Sequence, residues 1–99
     1  MKKISLITGA TAGIGRATAF RLAKDGHDLI ITGRREERLK KLKEEIKVQF
    51  DVEVYFLAFD IRNNDEVTEA IDSLPQDWQK IDVLINNAGL AVGLNHIQD

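Results

Sequence analysis

Thr8-Gly9-Ala10-Thr11-Ala12-Gly13-Ile14-Gly15 follows the apolar run Ile4-Ser5-Leu6-Ile7 and opens an alanine-rich stretch of helical character, so three glycines sit where a strand hands over to a helix. Glycine at such a turn allows positive φ and, having no Cβ, lets the backbone approach an anion closely. The helix that follows offers unpaired N–H groups and the positive end of its dipole. A diphosphate can be held there, which makes a nucleotide cofactor site the favoured reading over a plain tight turn. The spacing is Gly-x-x-x-Gly-x-Gly and not the Gly-x-Gly-x-x-Gly of the general dinucleotide fingerprint, so the turn needs a second signal.

Working outward, four apolar runs rich in β-branched residues recur at 3–8, 28–33, 53–59 and 82–86, and the intervals between them have helical periodicity. Alternating β and α implies a parallel sheet. The first helix is expected over about 14–24, with Ala17, Phe20 or Arg21, and Ala23 following the turn, small alanines that permit close packing on the sheet, and Gly26 as the left-handed residue beyond its end. The second carries Leu39, Leu42 and Ile46 on one side and charged residues elsewhere. In the third, Asn63 and Glu66 make an N-terminal capping pattern, Val67, Ala70, Ile71 and Leu74 form the apolar face, and Pro75 stops the helix. Right-handed crossovers then give a doubly wound α/β fold of Rossmann type, in its N-terminal half, with strand order 3-2-1-4 and helices on both faces.

The second signal is Asn86-Asn87-Ala88-Gly89, directly after the apolar run Ile81-Asp82-Val83-Leu84-Ile85. Together with the leading Thr-Gly-x-x-x-Gly-x-Gly it resembles the short-chain dehydrogenase/reductase family along the whole chain. Within that family, Gly33-Arg34-Arg35, Leu74-Pro75 with Trp78 close behind, and Asn86 to Ala91 resemble the NADP-dependent 3-hydroxy acid (serine) dehydrogenase branch. At the glycine turn, Gly9, Gly13 and Gly15 are read as the diphosphate cradle, with Thr11 and Ala12 as loop contacts and Ile14 under the cofactor. The resemblance places Asp60 and Ile61 at the adenine and Asn87 at the cofactor ribose, with Ala88 among the cofactor-binding residues and Gly89 keeping room on the nicotinamide side. Asn86 is expected to bond the backbone of neighbouring strands. The bland alternatives are an Asp60 that only caps the next turn and a simple Asn-Ala-Gly bend.

The choice between NAD and NADP is decided near the end of the second strand, where a carboxylate would bind the ribose 2′-OH and repel a 2′-phosphate. Thr32-Gly33-Arg34-Arg35 offers no carboxylate, and Arg34 and Arg35 present fork-shaped cationic donors suited to phosphate. NADP is therefore expected in preference to NAD. As surface residues at a helix start the two arginines would have no role, but a cation there is disfavoured unless an anion joins it.

With 99 residues, 43% apolar and 30% charged, the composition is that of one small soluble domain. No stretch approaches the roughly 18 apolar residues of a membrane span, and nothing at the N-terminus resembles a signal peptide, so a cytoplasmic protein with no membrane partner is expected. The absence of cysteine excludes disulfides, thiolate metal sites and cysteine nucleophiles, and His27 and His96 are too few for a metal cluster. A formal charge of −2 gives no reason to expect nucleic acid. The cationic stretch 34–47 is instead expected to be a solvated helix laced by i, i+4 pairs. Tyr55, Trp78 and the four phenylalanines lack a stacking pattern and are assigned to core or cover.

The resemblance also implies a Tyr general acid, a Lys four positions later, a Ser that orients substrate and an upstream Asn. None of that set is found here: the sole tyrosine, Tyr55, has Phe59 four positions on, and Ser5 and Ser73 fall in a strand and a helix. No catalytic residue is assigned, and the chain alone is expected to be inactive. The first hypothesis is that residues 1–99 are the NAD(P)-binding half-domain of a longer NADP-dependent oxidoreductase, truncated before its catalytic segment. For the whole enzyme the resemblance implies a small hydroxy acid or alcohol as substrate and a homotetramer. The second hypothesis is a stand-alone nucleotide-binding or interaction module that docks a partner through an exposed fourth strand.

Overall fold

The computed structural model describes residues 2–11, 13–60 and 62–87. In chain order these form β1 (Ile4–Thr8), α1 (Gly13–Lys24), β2 (Asp28–Gly33), α2 (Glu36–Gln49), β3 (Val54–Ala58), α3 (Asn64–Asp72), a 3₁₀ turn (Gln76–Trp78) and β4 (Val83–Asn86). All pairings are parallel and the sheet order is β3-β2-β1-β4, the expected topology.

The strands read as continuous apolar runs because both faces of the sheet are covered. Side chains alternate between faces along a strand, and the two buried clusters follow that alternation. Ile7, Leu29 and Ile31 join Ala19 and Ala23 of α1 and Leu39, Leu42 and Ile46 of α2. Leu6, Ile30 and Leu57 join Val67 and Ile71 of α3, with Leu74 and Ile81. Tyr55 and Trp78 close the second cluster with ring centroids 5.6 Å apart, and Phe20 and Phe50 meet edge-on at 6.3 Å beside the first. The rings serve as cover, as expected, although they do pair.

Three local expectations are corrected. The buried face of α1 is Gly15, Ala19 and Ala23, a strict i, i+4, i+8 stripe; Ala17 and Arg21 are exposed, because the close approach of Gly15 to the preceding turn sets the helix rotation. α3 ends at Asp72 with Ser73 as its cap, short of Pro75, and the 3₁₀ turn begins after that proline. No ion pair lies within α2: Glu45 reaches Arg16 on α1, and Lys47 reaches Glu53 at 3.1 Å. Surface i, i+4 pairs contribute only a few tenths of a kcal/mol, so partners on other elements readily displace them.

Polar groups finish the elements. Gly26 has φ 90°, and the bonds Gly26 N–H to Ala23 O (3.0 Å) and His27 N–H to Leu22 O (3.0 Å) close a Schellman motif after α1. Asn63 accepts from the N–H groups of Asp65 (3.0 Å) and Glu66 (3.2 Å) at the start of α3. At the amino ends of the strands, Asp82 Oδ2 accepts from Ile4 N–H at 2.9 Å while Asp82 N–H donates to Ile4 O at 2.9 Å. β4 accordingly starts one residue later than expected, since Asp82 caps the edge and Val83 begins the ladder.

Candidate functional site

A parallel sheet brings all its carboxyl ends to one edge, and the described residues among those singled out in the sequence follow its strands there. Gly9 has φ 61° and Gly13 φ 58°, so the chain turns through left-handed conformations between β1 and α1. Gly15 is needed for a different reason. A Cβ built on it would sit well inside contact distance of the Gly9 carbonyl oxygen, 2.8 Å from the Gly9 carbonyl carbon and 3.2 Å from Ala10 Cα. The loop is thus folded directly against the first turn of the helix. α1 has no acidic residue in that turn, whereas α2 opens with Glu36 and Glu37 and α3 with Asp65 and Glu66, so the amino end of α1 carries no carboxylate of its own. Ile14 stands there 78% exposed.

Backbone bonds tie this loop to the next two strand ends: Ala10 N–H donates to Thr32 O at 3.1 Å and Phe59 N–H to Gly33 O at 2.8 Å. Between them lies a cavity of ≈ 240 Å³, walled by Gly9 and Thr11 after β1, by Thr32 to Arg35 at the end of β2, by Arg38 on α2 and by Phe59 after β3. Its lining contains three guanidinium side chains and no carboxylate. The side chains of Arg34, Arg35 and Arg38 make no hydrogen bond or ion pair with any described residue. Three guanidiniums around one hollow, with N–H groups at a helix start beside it, are chemistry suited to an anion.

Asp60 follows β3. Its carboxylate is held by Arg62, whose Nε and backbone N–H donate to Oδ1 at 3.1 and 3.0 Å and whose Nη2 donates to Oδ2 at 3.0 Å. The bonds from the Arg62 side chain, then its backbone N–H, bring the Asp60 pKa down to about 2, with smaller help from the charges of Arg62 and Arg34. Asp60 therefore does cap the turn at Arg62, while Asn63 caps α3. The folded pKa lies below the ordinary value near 3.9, so the contribution to stability is complete above about pH 4 and is lost as pH falls toward about 2. Urea midpoints of wild type and Asp60→Asn, compared from pH 6 downward, are expected to converge across that window; a gap that persists to its acid end would contradict the assignment.

At β4, the Thr8 hydroxyl donates to Asn86 Oδ1 at 2.9 Å, so Asn86 binds the neighbouring strand through that strand's side chain. Asn87 Nδ2 is buried with no hydrogen-bond partner among the described residues. An unmet buried donor costs about 1–3 kcal/mol, which a ligand acceptor at this edge would relieve. Ala12, Ile61, Ala88 and Gly89 lie outside the described residues. Arg38, Thr32 and Phe59 are cavity residues that reading the sequence missed; the only signal for Arg38 was its place one turn beyond Arg34.

The family model for short chain dehydrogenases matches residues 3–99. The chain belongs to the short chain dehydrogenase family. Among its relatives, the NADP-dependent 3-hydroxy acid dehydrogenase of Escherichia coli K12 is 46% identical over 91 residues, 92% of this chain and 35% of that protein. The crystal structure of serine dehydrogenase from Escherichia coli superposes with a TM-score of 0.79 at 46% identity, over 90% of this chain and 39% of that one. The L-sorbose reductase of Gluconobacter frateurii, complexed with NADPH and L-sorbose, gives a TM-score of 0.83 at 32% identity, over 90% and 34% of the two chains. The chain thus spans about a third of the length of the short chain dehydrogenases it matches.

Two further features of the described residues bear on chemistry. Tyr55 packs on Trp78, Ser5 Oγ lies 2.7 Å from His27 Nδ1, and Ser73 donates to Ala70 O at 2.6 Å, so none of these hydroxyls stands at the cavity. No group of three or more His, Asp or Glu is placed to hold a metal ion, and no helix is long and apolar enough to cross a membrane, among the described residues.

Proposed function

We propose that this chain is the NADP-binding part of an oxidoreductase that interconverts a small hydroxy acid or alcohol and its carbonyl. The observation that carries the reading is the carboxylate-free cavity with Arg34 and Arg35 at the end of β2, where a 2′-phosphate would meet cations and a free ribose diol would find no carboxylate. NADP in the names of relatives supports it. In this reading Gly9, Thr11, Ala12, Gly13, Ile14 and Gly15 hold the diphosphate, Asp60 and Ile61 border the adenine, and Asn87, with its unmet Nδ2, Ala88 and Gly89 lie toward the ribose and nicotinamide. The cofactor supplies hydride exchange at its nicotinamide ring. This chain's residues bind and orient it, and in the whole enzyme a tyrosine matched to the developing alkoxide serves as the proton donor. We also assign the whole enzyme to a homotetramer, on the family resemblance, and to the cytoplasm, since nothing at the N-terminus resembles a signal peptide.

Calorimetric titration with NADP and with NAD tests the cofactor assignment, NADP being expected to bind more tightly. Arg34→Ala is expected to weaken NADP roughly tenfold or more, the scale of a lost hydrogen bond to a charged group, and to leave NAD within about twofold. Equal losses for the two cofactors would remove the 2′-phosphate from Arg34.

A further inference from the structure

We infer that Arg38 is a selectivity residue for the 2′-phosphate, meeting it from α2 while Arg34 and Arg35 meet it from the end of β2; the inference rests on the NADP reading above. The rotation of α2 is fixed by Leu39, Leu42 and Ile46, all buried against the sheet. A Cβ on Gly33 would touch Leu39 Cδ2 at 3.4 Å and Thr11 Cγ2 at 3.4 Å, so the first turn of α2 packs directly on the strand end and loop that wall the cavity. With Leu39 locked inward, Arg38 is delivered to the cavity, four residues and about one turn beyond Arg34.

The field of Arg34 is shared with the Asp60 carboxylate. A phosphate monoester brings about −2 near neutral pH and three acceptor oxygens, enough to take donors from all three guanidiniums at once. Arg38 also borders an adjoining cavity of ≈ 310 Å³, but the carboxylate there, Glu45, is already bound by Arg16. Arg38 is therefore left with its planar donors available to the first cavity.

Adenosine 2′,5′-bisphosphate and adenosine 5′-monophosphate differ only in the 2′-phosphate, and their affinities for the complete protein separate the two readings. Arg38→Ala is expected to weaken the bisphosphate roughly tenfold or more and the monophosphate by less than about twofold, with Arg38→Lys between Ala and wild type. Lys41→Ala, which removes a cation from the adjoining cavity only, is expected to change neither by more than about twofold. A wild-type preference for the bisphosphate that survives Arg38→Ala, or falls equally with Lys41→Ala, overturns the assignment of Arg38 alone. A wild type that does not distinguish the two ligands overturns the NADP reading itself.

Discussion

Gly15→Ala is expected to destabilise the protein by about 3 kcal/mol or more and to abolish NADP binding, from the addition of one methyl group. The new Cβ would collide with backbone, the Gly9 carbonyl, and not with the end of a side chain that could swing away. The Gly9 loop cannot easily retreat, because Ala10 N–H is bonded to Thr32 O at 3.1 Å and Ala10 is fully buried. Relief requires α1 to lift from the loop, which would also pull Ala19 and Ala23 out of the core. Gly13→Ala provides the contrast. Its Cβ would meet nothing within 4 Å, so only the φ of 58° opposes it, at about 1–2 kcal/mol. Thermal melts and NADP titrations of the two variants check the ordering; a Gly15→Ala protein that melts with wild type and binds cofactor would show that the loop and helix are not packed as described.

Ile30→Ala is the second large effect, expected at about 2–5 kcal/mol with cofactor specificity unchanged. Ile30 lies on the central strand β2, fully buried, level with Leu6 on one side and Tyr55 on the other. It packs in the cluster that includes Val67 and Ile71, the residues that seat α3. Sheet positions cannot collapse into the space left behind without breaking strand bonds on both sides, so the upper part of the range is expected. For a domain whose total stability is of order 5–15 kcal/mol, that loss lowers the urea midpoint substantially with little change in slope. A shift below about 1 kcal/mol would mean that this face of the sheet is loosely packed.

Much of the architecture was legible in advance because it rests on local, repeated signals. The four strands, their order and the second helix's buried triplet Leu39, Leu42 and Ile46 follow from runs and periods that neighbouring residues do not disguise. The stripe on α1 was less legible: alanines at 17, 19 and 23 are equivalent to a pattern of apolar letters, and only the contact of Gly15 with Gly9 sets which of them turn inward. The same limit applies at the site. Glycines and paired arginines announce an anion, but Arg62 on Asp60, Arg38 in the cavity wall and the unmet amide of Asn87 depend on where separate strand ends meet. These are tertiary facts that have no spacing to betray them.

The reciprocal bonds between Ile4 and Asp82 and the Thr8–Asn86 contact lie at opposite ends of the same strand pair. Along β1 and β4 both faces of the sheet are apolar, so sliding one strand by a residue would exchange one greasy neighbour for another and meet little resistance from water. The polar contacts act as two pins through adjoining plates, fixing the alignment that hydrophobicity leaves indifferent. Because the second pin sits at Asn86, immediately before Asn87, the alignment of the sheet is also the alignment of the residue that carries the buried amide.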